Sequence, residues 1–202
     1  MGTIHTGKTG SDGSALTYSL FSTWESDLSN DLYYADGESA TGHCVGEFNE
    51  AGILIDGGYN FGTYNYDLSK ITILGSGYEE VCPVGYPAAI HRGCKICPSP
   101  GVFAGSNWIF SAHSNIPLDI INIRVTATGS MVGSEPVSNH LTYMADLSQL
   151  QGALNVHHCE FDSYQGVGSD DSVLLKIGVG AGPTKIYDCA MYSCYANPSL
   201  SD

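Results

Sequence analysis

A six-residue pattern that returns three times constrains this chain more than any other feature. Ile120-Ile121-Asn122-Ile123-Arg124-Val125, Val156-His157-His158-Cys159-Glu160-Phe161 and Ile186-Tyr187-Asp188-Cys189-Ala190-Met191 share the form apolar-x-x-(Cys or Ile)-x-apolar. Their starts lie 36 and 30 residues apart. Such a loose period arises when like strands are joined by uneven loops. A strand that stacks a small Cys or Ile at one inward position per turn, against neighbours ~4.8 Å away, suits a parallel β-solenoid. Alternating strands also build β-sandwiches, which stand as the alternative architecture.

The rest of the chain fits an all-β reading with one helix. Short β-rich runs occur at Gly52–Asp56, Lys70–Leu74, Asn107–Ala112, Leu118–Thr128, Ala153–Asp162, Ser172–Val179 and Thr184–Tyr192, separated by Gly-, Asp- and Pro-rich punctuation. In Ser19–Tyr33 the apolar residues Leu20, Trp24, Leu28 and Leu32 recur every four positions, with Phe21 beside them. That spacing predicts an amphipathic helix, which Ser22-Thr23-Trp24-Glu25 would open as a capping box. Asp27 and Asp31 mark its wet face. The segment 81–105 carries Pro, Gly and Cys with little periodicity and reads as a long irregular loop. One domain over 1–202 is expected, with 1–35 forming an N-terminal strand and a capping helix.

Charge narrows the function classes. Seven Lys+Arg stand against 21 Asp+Glu, a formal charge of −14. So few cations leave no basic surface to follow a phosphate backbone, which excludes nucleic acid as a partner. Thirteen Tyr and many β-branched residues argue against disorder. No stretch approaches the ~18 uninterrupted apolar residues of a membrane span. Met1 to His5 enters a strand-like segment without a basic or apolar leader, so synthesis and folding in the cytoplasm are expected. Seven cysteines are an odd number, and mostly reduced thiols used as small core filler are expected.

The repeat, the uneven loops and the leading strand with a Trp-containing helix together resemble the right-handed parallel β-helix proteins. In that family such an N-terminal cap often closes the open end. The resemblance implies a phage tailspike or capsid-decoration role: a homotrimer bound to a capsid or other virion protein, made in the host cytoplasm and resident in the virion. A secreted protein is the alternative. At ~25 residues a turn, 202 residues would allow about seven or eight turns and a stub ~35 Å tall.

Four sets of residues are candidates for chemistry or contact. Gly168-Ser169-Asp170-Asp171-Ser172 resembles the Gly-Asp-Asp strand of polygalacturonases, where paired carboxylates act as acid and base around a glycosidic oxygen. The family's Asn-Thr-Asp, Gly-His-Gly and Arg-x-Lys elements are absent, and Asp170 and Asp171 equally suit a turn entering a strand. A β-helical lyase would need a basic residue and usually calcium; of the seven cations, Arg124 lies inside a repeat strand. Cys94-Lys95-Ile96-Cys97, with Cys82 and His91, could make a Cys₃His zinc site. A Cys94–Cys97 or Cys82–Cys94 disulfide and free thiols are the alternatives. His157 and His158 fall on opposite faces of a regular strand, which would keep them from acting jointly. Tyr59, Phe61, Tyr64 and Tyr66 cluster among Gly and Asn, as in adaptable surfaces for protein or sugar; a loop packing its own aromatics would look the same. No motif is complete enough to require a cofactor. A non-enzymatic virion subunit is therefore the leading expectation, with a carbohydrate-active enzyme or a glycan-binding module as the alternatives.

Overall fold

The computed structural model describes residues 1–28, 32–35, 37–56, 68–76, 78–81, 90–97, 108–112, 115–126, 143–165, 173–178 and 182–195. An N-terminal hairpin, β1 (Thr3–Thr9) and β2 (Ala15–Tyr18), leads into α1 (Phe21–Asp27). Strands then follow as β3 (Glu38–Val45), β4 (Glu47–Phe48) and β5 (Ile53–Ile55), and as β6 (Leu68–Ser76), β7 (Tyr78–Val81), β8 (Ile90–Ile96) and β9 (Trp108–Ala112). Next come β10 (Leu118–Ile121), β11 (Ile123–Thr126) and β12 (Tyr143–Leu147), and β13 (Leu154–His157), β14 (Glu160–Gln165) and β15 (Val173–Ile177). The last pair is β16 (Thr184–Tyr187) and β17 (Ala190–Tyr195).

Three sheets collect these strands in rotation. The first runs β16-β13-β10-β6-β3-β1-β2, the second β17-β14-β11-β8-β4 and the third β15-β12-β9-β5. From β3 onward every pairing along these orders is parallel. The hairpin pairs antiparallel within itself and onto β3, and β7 pairs antiparallel with β8. The fold is thus mostly β and its main sheets are parallel. Antiparallel sheets, from which β-sandwiches are built, are confined here to these additions.

The repeat is a statement of register. Gly42, Ile73, Ile120, Val156 and Ile186 pair in sequence across the first sheet, so the three expected copies coincide at their first residue. Ala40, Ile71, Leu118 and Leu154 form a second buried column beside them. In the second sheet Phe48, Ile96, Val125 and Phe161 are buried in register, and Met191 follows them. Each inward side chain is covered by its counterparts one level above and below. Met191 is 46% exposed because no described strand lies beyond β17.

Between first and second sheets the chain turns at a single residue. Asn122, His158 and Asp188 hold φ of 56°, 55° and 52°, the left-handed region where Asn, Asp and His are enriched. The runs expected as continuous over Leu118–Thr128, Ala153–Asp162 and Thr184–Tyr192 are each broken there into two strands. The residue after each corner is the repeat's Ile or Cys. Ile123 and Cys159 are buried, and Cys189 is half-buried at the last level. Gly93, at φ 104°, faces the same corner, and a methyl there would run into the Asn122 carbonyl. Gly75 meets that carbonyl too.

Several expectations are corrected. The segment 81–105 is not irregular throughout, since β8 occupies its middle and pairs with both β4 and β11. Five parallel strands stack in the first sheet among the described residues, not seven or eight. Long connections explain the smaller number, with 47 residues separating the register partners Ile71 and Leu118. The helix spans seven residues, shorter than Ser19–Tyr33. Phe21, Trp24 and Leu28 are buried, whereas Leu20 (42%) and Leu32 (81%) are exposed. Asp27, assigned to the wet face, accepts a hydrogen bond from the Tyr18 hydroxyl at 2.8 Å. No capping box forms. Instead the buried Glu50 carboxylate accepts the amides of Phe21 (2.7 Å) and Ser22 (3.0 Å). Phe21 then packs on Phe48 at 4.8 Å, and Trp24 lies over Gly42 and donates to the Tyr34 hydroxyl at 3.2 Å. Helix and hairpin thereby cover the N-terminal end of the stack.

Two measurements check this account. Glu50→Ala leaves two helix amides without an acceptor and should lower stability by about 1–3 kcal/mol in urea unfolding. Gly93→Ala should cost ~2 kcal/mol or more through its positive φ and the clash, while Asn122→Gly stays within ~1 kcal/mol.

Candidate functional site

Outward positions of the first sheet form their own columns. Thr41, Thr72, Asp119, Asn155 and Lys185 are in register, and so are His43, Leu74, Ile121, His157 and Tyr187. At the C-terminal levels these side chains border a groove of about 460 Å³ lined by Asp119, Ala153, Leu154, Asn155, Pro183, Lys185 and Tyr187. Pro183 and Ala153 lie at the strand starts, where their carbonyls accept the amides of Leu154 (3.0 Å) and Leu118 (2.8 Å).

The groove has a defined polarity. Asp119 is held by the Lys70 ammonium at 3.1 Å. Asn155 presents an amide oxygen that is shielded from solvent and meets no donor among the described residues. Lys185 is exposed and makes no ion pair among the described residues, although five of the seven cations do: Lys8 with Glu38, Lys70 with Asp119, Lys95 with Glu47, Arg124 with Glu160 and Lys176 with Asp146. Tyr187 stacks on His157 with ring centres 4.8 Å apart and planes at 12°. Donor, acceptor and aromatic face side by side suit a hydroxyl-rich ligand. Among the described residues, Asp119 is the one carboxylate in the lining.

The expectation that His157 and His158 point apart is corrected. Strict alternation fails because His158 sits at the left-handed corner. The two Nδ1 atoms lie 2.8 Å apart, and His158 Nε2 is 4.0 Å from the Asp188 carboxylate.

The same corner aligns two thiols. Cys189 lies one level beyond Cys159, and the Ala190 amide donates to the Cys159 carbonyl at 2.9 Å. The Cys159 sulfur lies 3.4 Å from the carbonyl oxygens of both Ile120 and His157, alternative acceptors for its single proton. The Cys189 sulfur lies 3.6 Å from the Val156 carbonyl oxygen and 3.3 Å from that of Tyr187, alternative acceptors when it is protonated. The pair divides its protons unequally. The Cys159 hydrogen bond, aided by the nearby His158, pulls the half-exposed Cys189 thiol down to about 6. Cys159, bonded to Cys189 and buried, is pushed up.

The proposed metal ligands fare differently. Cys94 is buried in the core and hydrogen-bonded with Cys44; burial first, and then this neighbour, push its thiol up. Cys97 is also buried, and Cys44, Cys94, Cys97, Cys159 and Cys189 are all free thiols, so a Cys94–Cys97 disulfide is not formed. For His91 the backbone in β8 is described, and Cys82 lies outside the described residues. Among the described residues no three His, Cys, Asp or Glu side chains gather to hold a metal ion. Asp170, Asp171, Tyr59, Phe61, Tyr64 and Tyr66 all lie outside the described residues.

Asp119, Asn155, Lys185 and Tyr187 were not among the expected site residues. A signal for them exists in the repeat. Asp119, Asn155 and Lys185 each immediately precede one of its copies, and outward neighbours of an aligned inward position must align as well. Compared with family models, curated proteins and solved structures, the chain matches none.

Cys189 should be the fastest-alkylated thiol among the five described. Iodoacetamide labelling followed by peptide mapping should give a pH profile with a midpoint near 6. A profile that rises only near the ordinary value of 9.0 would contradict the shared-proton geometry.

Proposed function

We propose that the chain is a right-handed parallel β-helix serving as a non-enzymatic structural subunit of a virus particle. It is a capsid-decoration, cement or spike-type protein that assembles as a homotrimer on a phage capsid. The observation that carries this reading is the in-register parallel stack with a covered N-terminal end. The chain carries a net charge of −14, and five of its seven cations are engaged in ion pairs with its own carboxylates. A particle bearing many such subunits stays dispersed by mutual repulsion, and contacts to the capsid would then be apolar, aromatic and backbone in kind. Analytical ultracentrifugation should give a three-fold species, and the protein should co-sediment with particles. A monomer that never co-sediments overturns the proposal.

A second reading is favoured by the groove, namely that the same subunit binds surface glycans without cleaving them. Lys185 and Asp119 offer hydrogen bonds to hydroxyls beside the Tyr187 ring. Glycan arrays should show binding that falls at least tenfold in Lys185→Ala and Tyr187→Ala, at unchanged stability. Turnover of acidic polysaccharides in a reducing-sugar or unsaturated-product assay, abolished by Asp171→Asn, would instead establish the carbohydrate-active alternative.

A further inference from the structure

The corner between β13 and β14 brings together two imidazoles that a regular strand would keep apart. His157 ends β13 and is braced by the Tyr187 ring at 4.8 Å. His158, at φ 55°, turns back beside it, with ring planes at 76° and the Nδ1 atoms 2.8 Å apart. On its far side His158 Nε2 faces Asp188 Oδ2 at 4.0 Å, and Asp188 occupies the equivalent corner one level on. The His158 and Asp188 side chains are 60% and 67% exposed, so the site opens directly to solvent.

We propose that His157 and His158 form a two-nitrogen clip for a divalent cation of the nickel or copper kind. Both Nδ1 atoms bind it, and water or an external donor completes the coordination. Two imidazole nitrogens this close repel unless a proton or a cation lies between them. The 2.8 Å bite selects among cations. With metal–nitrogen bonds of ~2.0 Å it subtends about 90°, the cis angle of square-planar or tetragonal coordination, whereas a tetrahedral ion would want ~3.3 Å. His158, 60% exposed, can turn about χ2 to direct its lone pair at an ion held by the braced His157 ring. Asp188 stands where metal-binding histidines commonly keep a carboxylate. A proton on Nε2 directed towards it leaves Nδ1 free to ligate. No third His, Cys, Asp or Glu joins the clip among the described residues, so the remaining positions stay exchangeable.

Nickel is the better probe, because the Cys189 thiol near His158 would reduce copper(II). Calorimetric titration of Ni²⁺ into the full chain should show one site. Affinity should fall at least tenfold in His157→Gln and in His158→Gln, and two- to fivefold in Asp188→Asn. It should be unchanged in His43→Gln, which alters a second histidine pair among the described residues, His5 and His43, in register on β1 and β3. On the unmodified chain, NMR should show the ring signals of His157 and His158 responding first to Ni²⁺, a readout independent of how the variants fold. No uptake of Ni²⁺, uptake retained in both glutamine variants, or a first response at His5, His43 or the cysteines overturns the proposal.

Discussion

Everything in this molecule depends on side chains of one level lying directly over those of the next. Parallel strands stack Gly42, Ile73, Ile120, Val156 and Ile186 in register at the strand spacing, and flanking columns do the same in the other sheets. Burial then belongs to the column more than to any single residue, since each member is covered by the two beside it. Register in such a stack cannot slip, because a shift of one residue would move every apolar side chain to the outer face. The left-handed corner keeps this arrangement in phase. It lets the chain change direction in one residue between a strand of the first sheet and a strand of the second, at Asn122, His158 and Asp188 alike.

Polar groups follow the same vertical logic. Glu47 meets Lys95, Arg124 meets Glu160, Lys70 meets Asp119 and Lys176 meets Asp146, each pair joining strands of different levels. Lys95 and Arg124 are nearly buried, and a buried cation persists only with its partner in place. A chain with seven cations and 21 anions therefore spends most of its positive charge on holding levels together. Lys185, at the last level of the first sheet, has no strand above it among the described residues and faces the groove instead.

Much of the stack was legible where the repeat is strongest, because an inward position that recurs leaves a periodic trace. It was illegible where context overrides local preference. Glu38–Val45 carries Gly42 and few β-branched residues, and it is a strand because β1 and β6 pair with it on either side. The β8 strand contains Gly93, which reads as a turn but fits beneath the Asn122 carbonyl of the next level. The helix start escaped local reading because its acceptor, Glu50, is 29 residues from Phe21. At the candidate site, the groove follows from alignment of the repeat, but the convergence of His157 and His158 does not. Alternation predicts opposite faces, and one positive φ reverses that outcome.

Among the described residues the stack is covered at its beginning and has no strand beyond β15, β16 and β17, an asymmetry with a mechanical consequence. Strands pulled along their own direction must break all the hydrogen bonds of a ladder together. Tension applied at β16 and β17, across the ladders, loads one pair of bonds at a time. Each level detached in this way exposes an edge like the one it left. The molecule should therefore be stiff in shear and weak in peeling, with failure starting at Tyr187 and Met191 and moving towards Trp24.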